Sequence, residues 1–309
     1  MASGLSNLRV RAENYAYSQV EELRLKVLAA IGDTGSLSGW QGNQLRSKVQ
    51  VIIDSAFYTL TSDSRSYLQE AWQLGIDRAS KEFSKKLDNL PGTSVPSGVE
   101  DGMEVLRSAY QHTSAGVSKS LRTMLSRASL SDDATLEQVL SNLRDKSSSG
   151  FFDQAKQQVA ASLSEECSVL EARAHSLRSR ELEAFVSLQK RSGSLSKTKG
   201  TKKTEPVTIR VWKHKPLDMV NQPRPNHVEM DGMGVVFDHT QGNIPFRLVG
   251  KDGTVYSVMG PKLPPLPIGE TAHCGCTVHN VVIWVTDDEK KKLIAQSRST
   301  GGFADSRWK

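Results

Sequence analysis

The stretch RSGSLSKTKGTKKTEP, running from Arg191 to Pro206, holds one aliphatic side chain, Leu195, among four lysines, an arginine and small polar residues. A segment of that composition has too little apolar surface to offset the entropy of ordering it, so residues 190–205 are expected to form a basic, flexible linker. The chain obeys different rules on its two sides. Of eleven prolines, Pro91 and Pro96 precede the segment and nine fall at or after Pro206. Proline inside a helix costs about 3 kcal/mol. The first 190 residues are therefore free to be helical and the last hundred are not.

Upstream, the apolar residues recur at helical spacing. Val20, Leu23, Val27 and Ile31 form one stripe, and Phe152, Ala155, Val159, Leu163, Cys167, Leu170, Ala174 and Leu177 form a second. The second stripe follows the breaker Ser147-Ser148-Ser149-Gly150 and predicts a helix to about Lys190, roughly 60 Å long at 1.5 Å per residue. Further helices are expected near 43–60, 63–88, 98–128 and 132–146, with Asp63, Ser97 and Ser131 as caps and Leu90-Pro91-Gly92 as a break. Cys167, on its apolar stripe, reads as core.

Downstream the period changes to that of strands. Val207–Trp212, Pro245–Val249, Thr254–Val258 and Val281–Val285 alternate or run β-branched, and Gly250-Lys251-Asp252-Gly253 is a hairpin signal. A short helix from Asp287 to about Gln296 opens with acids and continues with lysines, which complements its dipole. The expected fold is multidomain: an elongated, mainly α-helical N-terminal region over 1–189, the linker 190–205, and a small α+β domain over 206–309.

At 309 residues and 33.9 kDa the chain suits about two domains. Its net charge of +6 suggests a nucleic-acid partner until it is divided along the chain. Residues 1–189 hold 21 basic and 23 acidic side chains, residues 190–205 hold six and one, and residues 206–309 hold 13 and ten. The excess is concentrated in the linker, so the helical region is not a basic DNA-binding domain. Three cysteines do not make a disulfide framework, no run approaches the roughly 18 apolar residues of a membrane span, and the first residues lack a secretory apolar segment. A soluble, intracellular product without a membrane partner is expected.

Chemistry, if there is any, belongs to the C-terminal third. It holds five of the seven histidines, and its densest cluster is His273-Cys274-Gly275-Cys276-Thr277-Val278-His279. On an extended chain Cys274 and Cys276 face one side and offer two thiolates to a zinc ion, with His227 or His279 completing the tetrahedron. A structural zinc usually takes paired C-x₂-C elements, however, and here there is a single C-x-C. Packing of two small sulfurs at a strand start is the favoured reading, with no cofactor and no catalytic residue. A cysteine nucleophile is a further alternative, for which no base or orienting acid is marked. Phosphate-loop and dinucleotide signatures are absent. Pro261–Pro267 reads as a stiff crossover rather than a peptide ligand.

Taken in order, Trp212, Arg224 and His227, the Asp231-Gly232 step, the proline-rich crossing, and His273-Cys274-Gly275-Cys276-Thr277 before a hydrophobic strand resemble the C-terminal domain of the Mu F-like minor head proteins of tailed bacteriophages. Upstream, Ala71-Trp72-Gln73-Leu74-Gly75-Ile76-Asp77-Arg78-Ala79 is similar to a segment often found in the helical region of that family. The motif match covers 206–285. Where the family commonly has Cys-Arg-Cys, this chain has Gly275, so no role resting on that arginine carries over. The resemblance implies a non-enzymatic virion protein, assembled in the host bacterial cytoplasm and placed in the capsid interior or at the portal vertex, in more than one copy. Its implied partners are the portal protein, the major capsid protein or both. Lys197, Lys199, Lys202 and Lys203 would then meet packaged DNA without sequence specificity, against the plainer role of a solubilising spacer. The rival functions are a metal-dependent or cysteine-based enzyme or a toxin-like activity in the C-terminal domain, and a non-specific DNA-binding protein.

Overall fold

A computed structural model describes residues 4–34, 39–87, 89–130, 136–144, 150–191, 204–214, 225–238, 242–260 and 276–308. It contains the long helical N-terminal region and the small C-terminal domain of sheet and helix that the sequence predicts. Helices α1 (Gly4–Gly32), α2 (Gly39–Ser84), α3 (Val99–Leu130), α4 (Leu136–Arg144) and α5 (Gly150–Arg191) come first. They are followed by β1 (Glu205–Lys213), α6 (Pro225–Glu229), β2 (Met233–Asp238), β3 (Gly242–Asn243), β4 (Phe246–Val249), β5 (Val255–Val258), β6 (Thr277–Val285), α7 (Asp287–Thr300) and β7 (Phe303–Ala304).

The expected break at Asp63 is absent, because α2 runs unbroken through it. The polar run 61–64 satisfies itself within the helix: Thr61 Oγ1 donates to Phe57 O at 2.8 Å and Ser64 Oγ to Leu60 O at 2.7 Å. Phe57, Leu60, Leu68 and Ala71 keep the buried face in phase across the run. Asp63 instead accepts a hydrogen bond from Tyr15 Oη at 2.7 Å. Ser97 lies one residue ahead of the α3 N-cap, which is Gly98, whose carbonyl accepts from Gly102 N, and its hydroxyl accepts from Val99 N at 3.3 Å, whereas Ser131 lies outside the described residues.

The contacts divide the chain within α2 and α5, into one unit of Met1–Trp72 with Ser97–Glu171 and another of Gln73–Pro96 with Ala172–Lys309. The division therefore does not fall at 190–205, the boundary that composition suggests. In the first unit, four helices pair in a ring, each antiparallel to its neighbours. Tyr15 meets Asp63 and Arg11 meets Glu70 between α1 and α2; Ser64 Oγ lies 3.1 Å from Tyr110 Oη and Gln50 Oε1 accepts from Arg122 at 3.0 Å between α2 and α3. Thr113 reaches Gln158 at 3.4 Å, and Gly102 lies under Leu170, between α3 and α5; Ser164 donates to Glu13 at 2.6 Å and Lys156 pairs with Glu21 between α5 and α1. This is an up-down-up-down four-helix bundle, and α4 closes part of it through Leu143, whose carbonyl accepts from Arg24. Cys167 is fully buried in the bundle, and burial pushes its thiol up to about 12.

The second unit is built on an antiparallel sheet in the order β3-β2-β1-β6, with β7 also paired to β2. The turn at Gly250–Gly253 joins β4 and β5 as expected, closed by Gly250 N donating to Thr254 O at 2.8 Å, with Gly253 at φ 78°. On one sheet face Val207, Ile209, Val211, Ile283 and Val285 pack with Leu293 of α7, Phe303 and Trp308. The helix α7 is capped by Thr286, which accepts from Glu289 N, and ends at the left-handed Gly301. Beyond β6, Phe83, Leu87, Leu182 and Val186 from the ends of α2 and α5 form a core with Val282 and Trp284. Arg178 holds the strap between α2 and α3, donating to Pro91 O at 2.6 Å, Gly92 O at 3.2 Å and Ser80 Oγ at 3.1 Å.

Candidate functional site

Strand β1 delivers the site. Its pairing with β6 matches Lys213 to Thr277, and continuing that register by one residue sets His214 against Cys276. His214 Nδ1 lies 3.3 Å from Cys276 Sγ. The backbone amide of His214 donates to Asp231 Oδ1 at 2.8 Å, and Gly232 N donates to Trp212 O at 2.9 Å. These two bonds tie the turn between α6 and β2 to the end of β1. Gly232, at φ 75°, adopts the left-handed conformation that lets this turn reverse tightly.

Behind the pair, Trp212 is fully buried and stands edge-on both to His227, with centroids 5.4 Å apart, and to Phe246, at 5.5 Å. Met230, Val235, Phe246, Leu248, Val258 and Cys276 share its core. His227 is 1% exposed and Cys276 3%.

Two further groups on the sheet have shifted protonation. Burial, reinforced by the positive charges of Arg78 and Lys213, holds His279 neutral, with its pKa lowered to about 3. Burial also lowers Arg210 to about 10; its guanidinium lies 4.1 Å over the Phe237 ring and donates to Met259 O at 3.3 Å.

Of the sequence-predicted residues, the structure describes His227, Cys276 and His279, the last on β6 opposite Val211. Cys274, Lys197, Lys199, Lys202 and Lys203 lie outside the described residues, as do Arg224 and the crossover Pro261–Pro267. The residue that sequence reasoning missed is His214. Its signal was the β1–β6 register, which needs a pairing 62 residues away. In a tetrahedral zinc site, bonds of about 2.3 Å to sulfur and 2.0–2.1 Å to nitrogen set two such ligands roughly 3.6 Å apart. His214 Nδ1 and Cys276 Sγ thus stand at a separation that suits two zinc ligands as well as a hydrogen bond. Among the described residues, however, no three histidine, cysteine or acidic side chains converge to hold a metal ion. A nucleophilic thiolate needs exposure and a positive surrounding, and Cys276 has its histidine but little exposure. Also among the described residues, no helix is long and apolar enough to cross a membrane.

Comparison with protein-family models, with curated proteins and with solved structures found no match.

Proposed function

We propose that this chain is a minor structural head protein of a tailed bacteriophage, similar to the Mu F-like proteins, which binds the portal or capsid protein and assists head assembly, DNA packaging or ejection. The observation that carries the reading is a convergence. The described residues of the motif series, separated by up to 64 positions, meet at one end of β1: Trp212 against His227, Gly232 bonded to Trp212, and Cys276 in the same core. Residues brought together as buried packing partners support a structural domain rather than a catalyst. The helical unit would supply the partner surface, the basic segment 190–205 would face DNA, and the protein would reside at the portal vertex or inside the capsid.

The test is quantitative mass spectrometry of purified procapsids and virions from infected host cells. The expected result is this chain at a few copies per particle relative to the major capsid protein. Absence from both particles would overturn the assignment.

A further inference from the structure

The bundle carries an open groove between α2 and α3 that the motif series does not explain. Its volume is about 910 Å³, and its lining spans Gln50 to Arg65 on α2 and Met103 to Thr123 on α3. At 1.5 Å per residue those spans are roughly 22 and 30 Å long. Phe57, Met103 and Tyr110 line it as buried side chains, while Tyr58 stands 78% exposed beside them. Its charged lining is one-sided, with Arg65, Arg107, Lys119 and Arg122 against a single carboxylate, Asp54.

The cations differ in how they are held. Arg65 grips both carboxylate oxygens of Glu100 in a two-pronged pair, while Arg107 meets Glu104 at 3.2 Å in a single exposed contact that exchanges more readily for another carboxylate. Arg122 donates to the neutral amide oxygen of Gln50 at 3.0 Å. Ser118, 8% exposed, also lines the groove, and its hydroxyl makes no hydrogen bond. A buried polar group without a partner is costly in a finished interior. Here it lies where a ligand would bring one.

We infer that the α2–α3 groove docks an acidic amphipathic helix of a partner protein, its apolar face on Phe57, Tyr58 and Tyr110 and its carboxylates on Lys119, Arg122, Arg107 and Arg65. An elongated groove with an apolar floor and charged rims is the form in which helices are received. Its positive lining, set in a region of 21 basic and 23 acidic side chains, is local complementarity to a carboxylate-bearing partner rather than a general attraction to nucleic acid. The inference rests on the assembly reading only for which protein supplies the helix.

The experiment titrates the full chain into a labelled, stapled helix of about 18 residues, carrying leucine at i, i+3, i+4 and i+7 and glutamate on both flanks, and follows fluorescence anisotropy. The expected result is saturable binding, weakened about tenfold or more by the double change Lys119→Glu and Arg122→Glu. Tyr58→Ala, exposed and so tolerated by the fold, should weaken it independently, and Arg122→Lys should retain it. A lysine-flanked analogue should not bind. The inference is overturned if the glutamate helix fails to bind, if the lysine analogue binds equally, if the double variant binds as the parent does, or if a short DNA duplex displaces the helix from the same residues. A chain that binds the helix yet is absent from particles would sink the assembly reading and leave the groove standing. A chain present in particles with an inert groove would do the reverse.

Discussion

Glu82 Oε2, near the end of α2, accepts the backbone N–H of Val282 on β6 at 2.9 Å, across 200 positions of sequence. The same oxygen lies 3.0 Å from His175 Nε2 on α5. One carboxylate oxygen thus satisfies an outward-facing amide of a strand at the sheet border and fixes the histidine tautomer, since a carboxylate only accepts. Asn280 makes a second tie from the same strand, donating to Ala172 O at 3.1 Å.

Removing that oxygen strands two donors. Glu82→Ala should destabilise the second unit by about 1–3 kcal/mol, the cost of a buried unsatisfied group, and should speed hydrogen exchange at the Val282 amide. Lys81→Ala, one position away and exposed, should stay within about 0.5 kcal/mol. An unchanged exchange rate in Glu82→Ala would show that the contact does not hold the strand.

The same unit should lose stability in mild acid. Burial lowers the pKa values of His175 and His279 in the folded chain, the latter to about 3, below the unfolded value of about 6.5. The unfolded chain then binds the protons more readily. Their contribution is complete above about pH 6.5 and declines as the pH falls toward the folded values, by up to about 1.4 kcal/mol per pH unit for each group. Denaturant unfolding at pH 7.5 and pH 5, a window above most carboxylate titration, should show this loss. His279→Gln should reduce it. A flat profile between those pH values would contradict the burial argument.

Cys276 and His214 separate packing from metal binding. We expect the full chain, purified without added metal, to contain no stoichiometric zinc and to melt at the same temperature with and without chelator. Cys276→Ser should then cost about 1–3 kcal/mol, as a hydroxyl enters a poorly matched site. One zinc per chain with a chelator-sensitive melt would reverse that assignment, because the binding free energy of a structural metal is part of folding.

Trypsin should cut first within 190–205, where six lysines and arginines stand among serine, glycine and threonine. The two products should nevertheless co-elute under native conditions. Thr208 Oγ1 donates to Glu183 at 2.8 Å, and Leu182 and Val186 share a core with Val282, so the cut leaves the second unit assembled from both pieces. Separation of the pieces on size exclusion would contradict this. In the uncut chain, serine at Lys197, Lys199, Lys202 and Lys203 should reduce the salt dependence of DNA retention if those lysines meet phosphate; an unchanged slope leaves them a spacer.

The sequence by itself determined what depends on neighbours along the chain. Proline placement separated the helical region from the sheet domain, the stripe from Phe152 to Leu177 marked α5, and Gly250–Gly253 marked a turn, because helical periodicity and left-handed backbone are local properties. Tertiary structure alone decided the rest. The continuity of α2 through Asp63 required a buried face that stays in phase. Strand β2 was not among the predicted strands, and its Gly234 is required by the fold, since an added Cβ would lie 2.6 Å from Trp308 Nε1. The pairing of His214 with Cys276 and the joining of 73–96 and 172–191 to the sheet are set by contacts between residues 25 to 200 positions apart. Such contacts form between surfaces that exist only after the helices and strands have folded, so no local pattern announces them.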